Sequence, residues 1–192
     1  MELILIRHGL PERIIRQDGS PADPPLSKDG HQQARKVAQW LTDLHIDRIY
    51  SSPMQRALQT AGPIASQKGL AVDVVPGVAE YDQNSELYIP VEQLKELNYE
   101  RWRRLMKGEV DADFPEFART VCNSLGEIVS QNKGKRVAVA CHGGVINVWT
   151  AHVIGFEARM FFNPNYTSIN RFMAASSGEM SVITLNEHTH LN

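Results

Sequence analysis

The feature that most constrains the fold is a short apolar run near the start of the chain. Residues 3–6 are Leu-Ile-Leu-Ile, and Arg7, His8 and Gly9 follow them directly. A run of this length predicts a strand buried on both faces. In open α/β sheets ligands bind at the carboxyl ends of the strands, so Arg7 and His8 are predicted to reach a binding site. Arginine suits phosphate or carboxylate and histidine can act as nucleophile or base, although a surface Arg-His pair is an equal alternative.

A second apolar strand ends in the same way. Residues 136–141 are followed by His142 and two glycines, and an apolar pattern at helical spacing comes next. Glycines allow the backbone to approach a ligand closely, and the N-terminus of a helix attracts anions. Because two strand ends can face one pocket, we expect His142 and Gly143 to share the pocket of the first strand.

A third candidate comes from the segment around Arg56. Ser52 is predicted to be the N-cap of a helix, with Pro53 in the first helical position and Arg56 in the opening turn. The helix dipole disfavours a cation there, so a bound anion would compensate Arg56. Replacing Arg56 by alanine would then slightly raise the stability of the free protein. The alternative is an exposed arginine that is tolerated at a small cost.

Two further groups of charged residues have more than one interpretation. Glu80 and Asp82 flank a tyrosine just after a predicted strand. A carboxylate can act as acid or base there, but by pattern both are surface acids. Arg101, Arg103 and Arg104 form a basic cluster, which is usually a solvated face, although it could present a second charge to an anionic substrate.

The rest of the chain alternates between strand and helix patterns. A loop over residues 10–26 carries Arg13 and is expected to rim the site. Helices are predicted from Ser27 to about residue 44, around residues 91–97 and 99–106, and over residues 115–131. Strands are predicted at residues 47–50, 71–75, 168–174 and 179–185, with the last two antiparallel.

Composition narrows the classes of function. The 192 residues are 42% hydrophobic, which suits one globular domain with a sizeable core. The 20 basic and 22 acidic residues create no field for nonspecific binding to nucleic acid or membranes. Cys122 and Cys141 form no disulfide framework or zinc motif, and with no leader or long apolar segment the chain is expected to be cytoplasmic. The tail with His188 and His190 lacks further metal ligands, so no metal is predicted.

Five segments together resemble the histidine phosphatase superfamily, the phosphoglycerate-mutase-like enzymes. They are Arg7-His8-Gly9, residues 26–34, residues 51–61, Glu80, and His142-Gly143-Gly144. Any one of them is weak evidence, but the five in this order span most of the chain. The resemblance implies a three-layer α/β/α sandwich with a mostly parallel central sheet. It also implies a single domain over residues 1–192, with a variable segment at about 83–113.

The resemblance also implies a role for each candidate. His8 would be the nucleophile, with Arg7, Arg56 and His142 around the phosphoryl group and Glu80 as proton donor. No metal and no cofactor is implied. Phosphoryl transfer supports these residue types independently, because its transition state spreads negative charge over oxygens that arginines and N–H donors stabilise. The second ring nitrogen of His8 needs an acceptor, such as a backbone carbonyl.

These roles lead to an expected reaction. It is metal-independent hydrolysis of a phosphate monoester through a phosphohistidine on His8. Substrate contacts are expected from Gly9, Ser52, Gly143 and Arg13. Small-molecule esters are the first candidate substrates and phosphoproteins the second, with no nucleic acid or membrane as partner.

A mutase and a noncatalytic phosphate-binding or interaction module are the alternatives. The run Leu10-Pro11-Glu12 departs from the residues that usually follow the Arg-His-Gly motif. True mutases also carry an extra segment before the second histidine, so a phosphatase is favoured. A noncatalytic module is disfavoured because the nucleophile, both arginines, the second histidine and an acid are all present. The substrate, the oligomeric state, a mutase side activity and the choice between Glu80 and Asp82 stay open.

Overall fold

The structure is a computed structural model that describes residues 1–109 and 113–192. Its strands are β1 (Glu2–Arg7), β2 (Ile14–Ile15), β3 (Arg48–Ser51), β4 (Val72–Val74), β5 (Leu87–Tyr88), β6 (Arg136–Cys141), β7 (Ile169–Ala174) and β8 (Met180–Glu187). Its helices are α1 (Lys28–Trp40), α2 (Gln55–Lys68), α3 (Val91–Leu97), α4 (Tyr99–Met106), α5 (Phe114–Gln131) and α6 (Gly143–Ile154), with single turns of 3-10 helix at Pro76–Val78 and Thr189–Leu191. The segment predicted to vary, at about 83–113, lies partly outside the described residues, since 110–112 are not among them.

The central sheet has the strand order β4-β3-β6-β1-β7-β8. The first four of these strands are parallel, whereas β7 pairs antiparallel with β1, and β8 pairs antiparallel with β7. Strands β2 and β5 form a separate antiparallel pair. The prediction of an α/β fold with a mostly parallel sheet is confirmed.

The register of β1 and β6 positions the site. These parallel neighbours place Arg7 beside Cys141. The residues that follow, His8 and His142, therefore leave the sheet at the same edge. This is the carboxyl edge of the parallel strands, where α/β sheets bind ligands.

Alternation along β1 explains the helix layers on both faces of the sheet. Leu3 and Leu5 pack into a core cluster that includes buried residues of α5 and α6. Ile4 and Ile6 pack into the opposite cluster, with residues of α1 and α2. All four side chains are at most 1% exposed. Burial of each contributes about 1.5–3 kcal/mol, so this strand helps to anchor both layers of helices.

The start of α1 agrees with the prediction. The Ser27 side chain accepts a hydrogen bond from the Gly30 amide at 3.1 Å, as an N-cap does. The helix ends at Trp40 rather than near residue 44, because the Leu41 amide is shared between the carbonyls of Val37 and Ala38 and closes the last turn.

The predicted N-cap of α2 is wrong. The N-cap is Met54, and Ser52 lies before the helix. The Ser52 hydroxyl instead accepts a hydrogen bond from the Met54 amide and contacts His142. The Gln55 amide is bound by the carboxylate of Asp23, which comes from the loop over residues 10–26. Arg56 nevertheless lies in the first turn, as predicted.

The remaining predicted elements are found with small shifts at their ends. Helices α3 and α4 match the helical patterns at 91–97 and 99–106, and β7 and β8 form the predicted antiparallel pair. Within residues 1–109 and 113–192, the helices are too short or too polar for any of them to span a bilayer.

Candidate active site

Two histidines meet at the carboxyl edge of the sheet. His8 follows β1 and His142 is the N-cap residue of α6, directly after β6. Their ring centroids are 5.1 Å apart, and both residues are buried. The backbone of His8 is fixed on both sides, since its N–H donates to the Cys141 carbonyl at 3.0 Å and its carbonyl accepts from the Thr167 amide at 3.3 Å.

The ring of His8 is held in one tautomer. Its Nδ1 lies 2.8 Å from the carbonyl oxygen of Gly9, which can only accept a hydrogen bond. Nδ1 therefore carries the proton, and Nε2 keeps its lone pair. Burial, followed by the positive charges of Arg56 and Arg7, holds the pKa of His8 well below its ordinary value. The imidazole is thus neutral at neutral pH, and the predicted backbone acceptor is the carbonyl of Gly9.

His142 is held through the other ring nitrogen. Its Nε2 lies 2.8 Å from the Ser52 hydroxyl, which also accepts a hydrogen bond from the Met54 amide at 3.2 Å. Its Nδ1 is buried and has no hydrogen-bond partner among residues 1–109 and 113–192. Burial, then Arg56, His8 and Arg7, lower its pKa well below the ordinary value. A Ser52 hydroxyl that donates to Nε2 leaves the proton of the neutral ring on Nδ1.

Arg7 is clamped by residues that follow α6. Its Nη1 donates to the side-chain oxygen of Asn163 at 3.2 Å and to the carbonyl of Pro164. Its guanidinium carbon lies 4.1 Å from the centre of the Tyr166 ring, a cation-π contact. The buried Nε has no hydrogen-bond partner in the described part of the chain. The guanidinium is therefore held in place, and its Nε–H remains able to donate a hydrogen bond to a ligand.

Arg56 is completely buried, so the alternative of an exposed arginine is wrong. Its Nη2 donates to Asp82 at 3.3 Å, and its Nη1 lies 3.9 Å from a carboxylate oxygen of Asp23. The guanidinium also lies over the Tyr88 ring at 4.7 Å. Carboxylates within the chain therefore compensate this cation at the start of the helix. The sequence argument from the helix dipole predicts a bound anion in that role. Nε and Nη1 make no hydrogen bond to any described residue.

Glu80 is hydrogen-bonded to the backbone that follows β6, beside His142. Its Oε2 accepts from the Gly144 amide at 2.8 Å and its Oε1 from the Tyr81 amide at 3.1 Å. A Cβ on Gly144 would lie 2.2 Å from Oε1, so only glycine permits this approach. Burial, followed by the negative charge of Asp82, raises the pKa of Glu80 to about 7. Burial also raises the pKa of Asp82, although Arg56 and Arg101 oppose it.

All of these groups except His142 line one cavity of about 90 Å³, and His142 lies beside His8, with the ring centroids 5.1 Å apart. The walls of the cavity are formed by the predicted residues Arg7, His8, Arg56, Glu80 and Gly143, together with Tyr81, Asp82, Tyr88, Ile89, Val91, Leu105, Met160 and Asn163. The cavity thus combines a neutral imidazole, two guanidinium groups and a carboxyl group with a pKa near 7. Such a set can bind a phosphoryl group, attack it and protonate a leaving oxygen.

Three of the four predicted substrate contacts are not among the described residues that line this cavity, and they stay predictions. The Gly9 N–H donates to the Thr60 hydroxyl at 3.0 Å and its carbonyl accepts from His8, so its peptide groups are already bonded within the protein. Ser52 is fully buried and bonded to His142. Arg13 is exposed and is absent from the described residues that line the cavity. Gly143 does line it.

Several site residues have no sequence signal. Asn163 and Tyr166 act on Arg7 from a segment without a recognisable motif, and Tyr88 lies on the short strand β5. Asp23 lies in a cluster of proline, aspartate and serine that reads only as a loop. The sequence predicts Asp82 only as an alternative to Glu80, and no sequence pattern predicts its ion pair with Arg56.

Comparisons with known proteins give a consistent result. The sequence model of the histidine phosphatase superfamily (branch 1) matches residues 3–187. Phosphoserine phosphatase 1 of Hydrogenobacter thermophilus is 30% identical over 171 residues, which cover 85% of this chain and 81% of that protein. A probable phosphoglycerate mutase, GpmB of an Enterobacter species, is 29% identical, with 82% of this chain and 77% of that protein covered.

A solved structure agrees with the sequence matches. It is a mutant phosphoserine phosphatase from Entamoeba histolytica in complex with phosphoserine, 27% identical in sequence. It superimposes with a TM-score of 0.78, and the match covers 100% of this chain and 99% of that one. The agreement therefore extends over the whole fold, including both strand ends.

Proposed function

The chain belongs to the histidine phosphatase superfamily, and we propose that it is a metal-independent phosphatase that hydrolyses a phosphate monoester through a phosphohistidine on His8. The observation that carries the proposal is the hydrogen bond between His8 Nδ1 and the Gly9 carbonyl at 2.8 Å. It places the proton on Nδ1 and the lone pair on Nε2, while burial and the two arginines that line the cavity hold the pKa of His8 low and keep the ring neutral. A neutral nitrogen beside fixed positive charge is what an attack on a phosphate ester requires.

In the first proposed step, His8 Nε2 attacks phosphorus and the bond to the leaving oxygen breaks. Arg7, Arg56 and the Nδ1–H of His142 stabilise the charge on the phosphoryl oxygens. Loss of one such donor costs about 10²–10³ in rate. Glu80 gives its proton to the leaving oxygen, and its pKa of about 7 leaves a large fraction protonated at neutral pH.

In the second proposed step, water attacks the phosphohistidine. The Glu80 carboxylate accepts a proton from this water, the bond between nitrogen and phosphorus breaks, and inorganic phosphate leaves. Glu80 is then protonated again and His8 is neutral, so the cycle closes. The same carboxyl group acts first as acid and then as base.

The wider proposal follows from the same site. Small-molecule phosphate esters are the proposed substrates, and the phosphoserine complex of the similar structure supports this class. We propose one domain over residues 1–192, acting in the cytoplasm without metal or cofactor. Hydrolysis is proposed ahead of mutase activity because of the departure at residues 10–12.

The test is a comparison of His8→Ala with the wild-type protein. Wild type should hydrolyse a nitrophenyl phosphate in the presence of a chelator and, after rapid quenching, carry an acid-labile, base-stable phosphate. His8→Ala should show neither property. The control is His45→Ala, since this histidine is exposed at the opposite edge of the sheet, before β3. Undiminished hydrolysis by His8→Ala would refute the proposal.

A further inference from the structure

The helical turn Thr189–Leu191 brings His190 into the interior of the protein. The residue is only 9% exposed, and its Nε2 lies 3.0 Å from the Thr167 hydroxyl. The turn is fixed to α1, because Lys36 Nζ donates to its last carbonyl at 3.2 Å and the centroid of the Trp40 ring lies 6.2 Å from that of the imidazole. The imidazole is therefore part of the interior and not of a solvated tail.

The direction of this hydrogen bond follows from the other contact of the hydroxyl. Thr167 Oγ1 donates its proton to the Tyr166 carbonyl at 2.8 Å, so it can only accept from His190. Burial, followed by the nearby His188 and Lys36, lowers the pKa of His190 to about 4, and the ring is neutral at neutral pH. Its proton is therefore on Nε2, while Nδ1 is buried without a hydrogen-bond partner in the described part of the chain.

Thr167 needs support because its backbone is strained. Its φ is 56°, in the left-handed region that a β-branched residue rarely adopts. Such a conformation persists only where the surrounding structure holds it. Thr167 is fully buried, and it is held by the bond from His190, by its own bond to the Tyr166 carbonyl and by its amide, which donates to the strand end of β1. Loss of the His190 bond would release part of this hold.

The residues on either side of Thr167 contact Arg7 and His8 directly. The Tyr166 ring lies 4.1 Å from the guanidinium carbon of Arg7, and its centroid is 5.7 Å from that of the His8 ring. The Thr167 amide donates to the His8 carbonyl at 3.3 Å, and the Arg7 amide donates to the Ser168 carbonyl at 3.2 Å. A change in the backbone at Thr167 would therefore move the ring against which the Arg7 guanidinium is held.

We propose that His190 is a positioning residue for Arg7. Its hydrogen bond holds Thr167 in the left-handed conformation, and this conformation keeps the Tyr166 ring against the guanidinium. The inference rests on the proposed phosphatase function and adds to it a residue that is not among the described residues lining the cavity. A donor that stabilises charge in a transition state must be in place before the reaction, since a displacement of about 1 Å can cost about 10² in rate.

The first test separates the shape of the His190 ring from its hydrogen bond. His190→Phe keeps a buried ring without a donor, so kcat for nitrophenyl phosphate should fall about 10-fold, the effect of one lost hydrogen bond. The loss should appear in kcat more than in KM, because Arg7 stabilises charge that develops in the transition state. His190→Gln places an amide N–H near the position of Nε2–H and should restore most of the rate.

The matched control is His45→Phe, the same substitution at an exposed histidine, which should leave kcat unchanged. Equal values of kcat in wild type and His190→Phe would overturn the proposal. An equal loss in His190→Phe and His190→Gln would overturn it as well, because the hydrogen bond would then make no difference.

The second test follows the path from His190 through Thr167 to Arg7. Thr167→Ala removes the acceptor of the same bond, so adding His190→Phe should lower kcat no further. Arg7→Ala removes the group that is positioned, and His190→Phe should again have no further effect in this background. A merely structural role would reduce the folded fraction by the same factor in every background. Additive losses in either double-mutant cycle would therefore overturn the positioning role.

The third test does not depend on turnover. Nitrogen NMR relaxation of the Arg7 Nε–H, assigned by its absence from Arg7→Lys, measures how rigidly the guanidinium is held. Its order parameter should be high in wild type, His45→Phe and His190→Gln, and lower in His190→Phe. An unchanged order parameter in His190→Phe would overturn the positioning role and leave the phosphatase proposal intact. Lack of turnover of every ester by wild type would overturn the phosphatase proposal, while the NMR signal would still decide whether His190 holds Arg7.

Discussion

The two strand ends that carry His8 and His142 have similar sequences but hold their histidines in opposite ways. His8 bonds through Nδ1 to the carbonyl of its own neighbour, Gly9. His142 bonds through Nε2 to Ser52, from a different strand end. In His8 the hydrogen bond of Nδ1 to Gly9 leaves the lone pair on Nε2, whereas in His142 it is Nδ1 that has no hydrogen-bond partner among the described residues. A strand-His-Gly pattern determines where an imidazole lies, but the neighbours determine which nitrogen meets the substrate.

The side chains that assist the two histidines also differ between the two strand ends. The first strand end provides the proposed nucleophile and the clamped Arg7, whereas the second end binds the proposed acid, since Glu80 accepts from the Gly144 amide. Arg56 lies between them, and its charge lowers the pKa of both histidines. We therefore expect substitutions at the first end to abolish covalent chemistry, and those at the second to slow it.

The largest expected difference is between His8→Ala and His142→Ala. The first should abolish the phosphoenzyme, because no other group attacks phosphorus. The second should lower kcat by about 10²–10³, the effect of losing one donor to the transition state, yet still form phosphoenzyme. Quenched-flow trapping with a radiolabelled substrate measures both. Trapped phosphate on His8→Ala, or none on His142→Ala, would reverse the two roles.

Glu80→Gln should have the next largest effect, and it should depend on the leaving group. Hydrolysis of an alkyl phosphate should fall by about 10²–10⁴, whereas nitrophenyl phosphate, whose leaving group departs without a proton, should be affected far less. With the pKa of Glu80 raised to about 7, the acid form is lost as pH rises through 7, so wild-type kcat/KM for the alkyl ester should fall there.

The control for Glu80 is its neighbour. Asp82→Asn keeps the carboxyl group of Glu80 but removes the partner of Arg56, so it should lower the rates with both the alkyl and the nitrophenyl ester. Because the charge of Asp82 also helps to raise the pKa of Glu80, the alkyl ester should lose slightly more at neutral pH. A strong leaving-group dependence in Asp82→Asn, and none in Glu80→Gln, would assign the acid to Asp82.

Arg56→Ala should lower kcat/KM by about 10²–10³ and also destabilise the free protein. The dipole argument alone predicts a small gain in stability, but this buried guanidinium is the partner of Asp82 and Asp23. Its removal leaves Asp82 unpaired and should cost about 2–4 kcal/mol, as for other broken buried pairs. Chemical denaturation measures the free energy of unfolding. A variant as stable as wild type would show that these ion pairs contribute nothing.

The smallest effect is expected from Ser52→Ala, which tests only how His142 is held. Loss of the hydroxyl leaves Nε2 of His142 and the Met54 amide unpaired, and kcat/KM should fall about 10-fold. Nitrogen NMR of the imidazoles should show a changed tautomer for His142 and an unchanged one for His8. The control is Ser51→Ala, whose hydroxyl donates to the Ser52 carbonyl and touches neither ring. A changed His8 signal would mean that the two strand ends are not independent.

The parts of the site that the sequence predicts are those controlled by local pattern. An apolar run predicts β1, the register of parallel strands brings His8 to His142, and the need for an acceptor predicts the carbonyl at Nδ1. The wrong N-cap of α2 has a different origin. Ser52 is a good cap by propensity, but its hydroxyl is used by His142, which is ninety residues away in the chain. No local sequence pattern predicts that His142 competes with the helix for the Ser52 hydroxyl.

The partners of Arg56 show the same limit. Asp23 lies in a loop and Asp82 in an irregular turn, and both reach Arg56 only because of the tertiary path of those segments. The basic cluster on α4 is a further case, since the sequence offers three equivalent arginines and only the contacts of Glu100 and Glu109 distinguish them.

The position of β1 between β6 and β7 has a consequence for how the protein forms. The strand that carries the proposed nucleophile is synthesised well before its parallel partner, since Glu2 of β1 pairs with Arg136 of β6, 134 residues later. Closure of such long loops is slow, and domains dominated by distant pairings fold late. We expect the apolar strand β1 to remain unpaired until residues 136–142 have emerged from the ribosome. Chaperone binding to nascent chains should therefore be strongest before that length and decline beyond it.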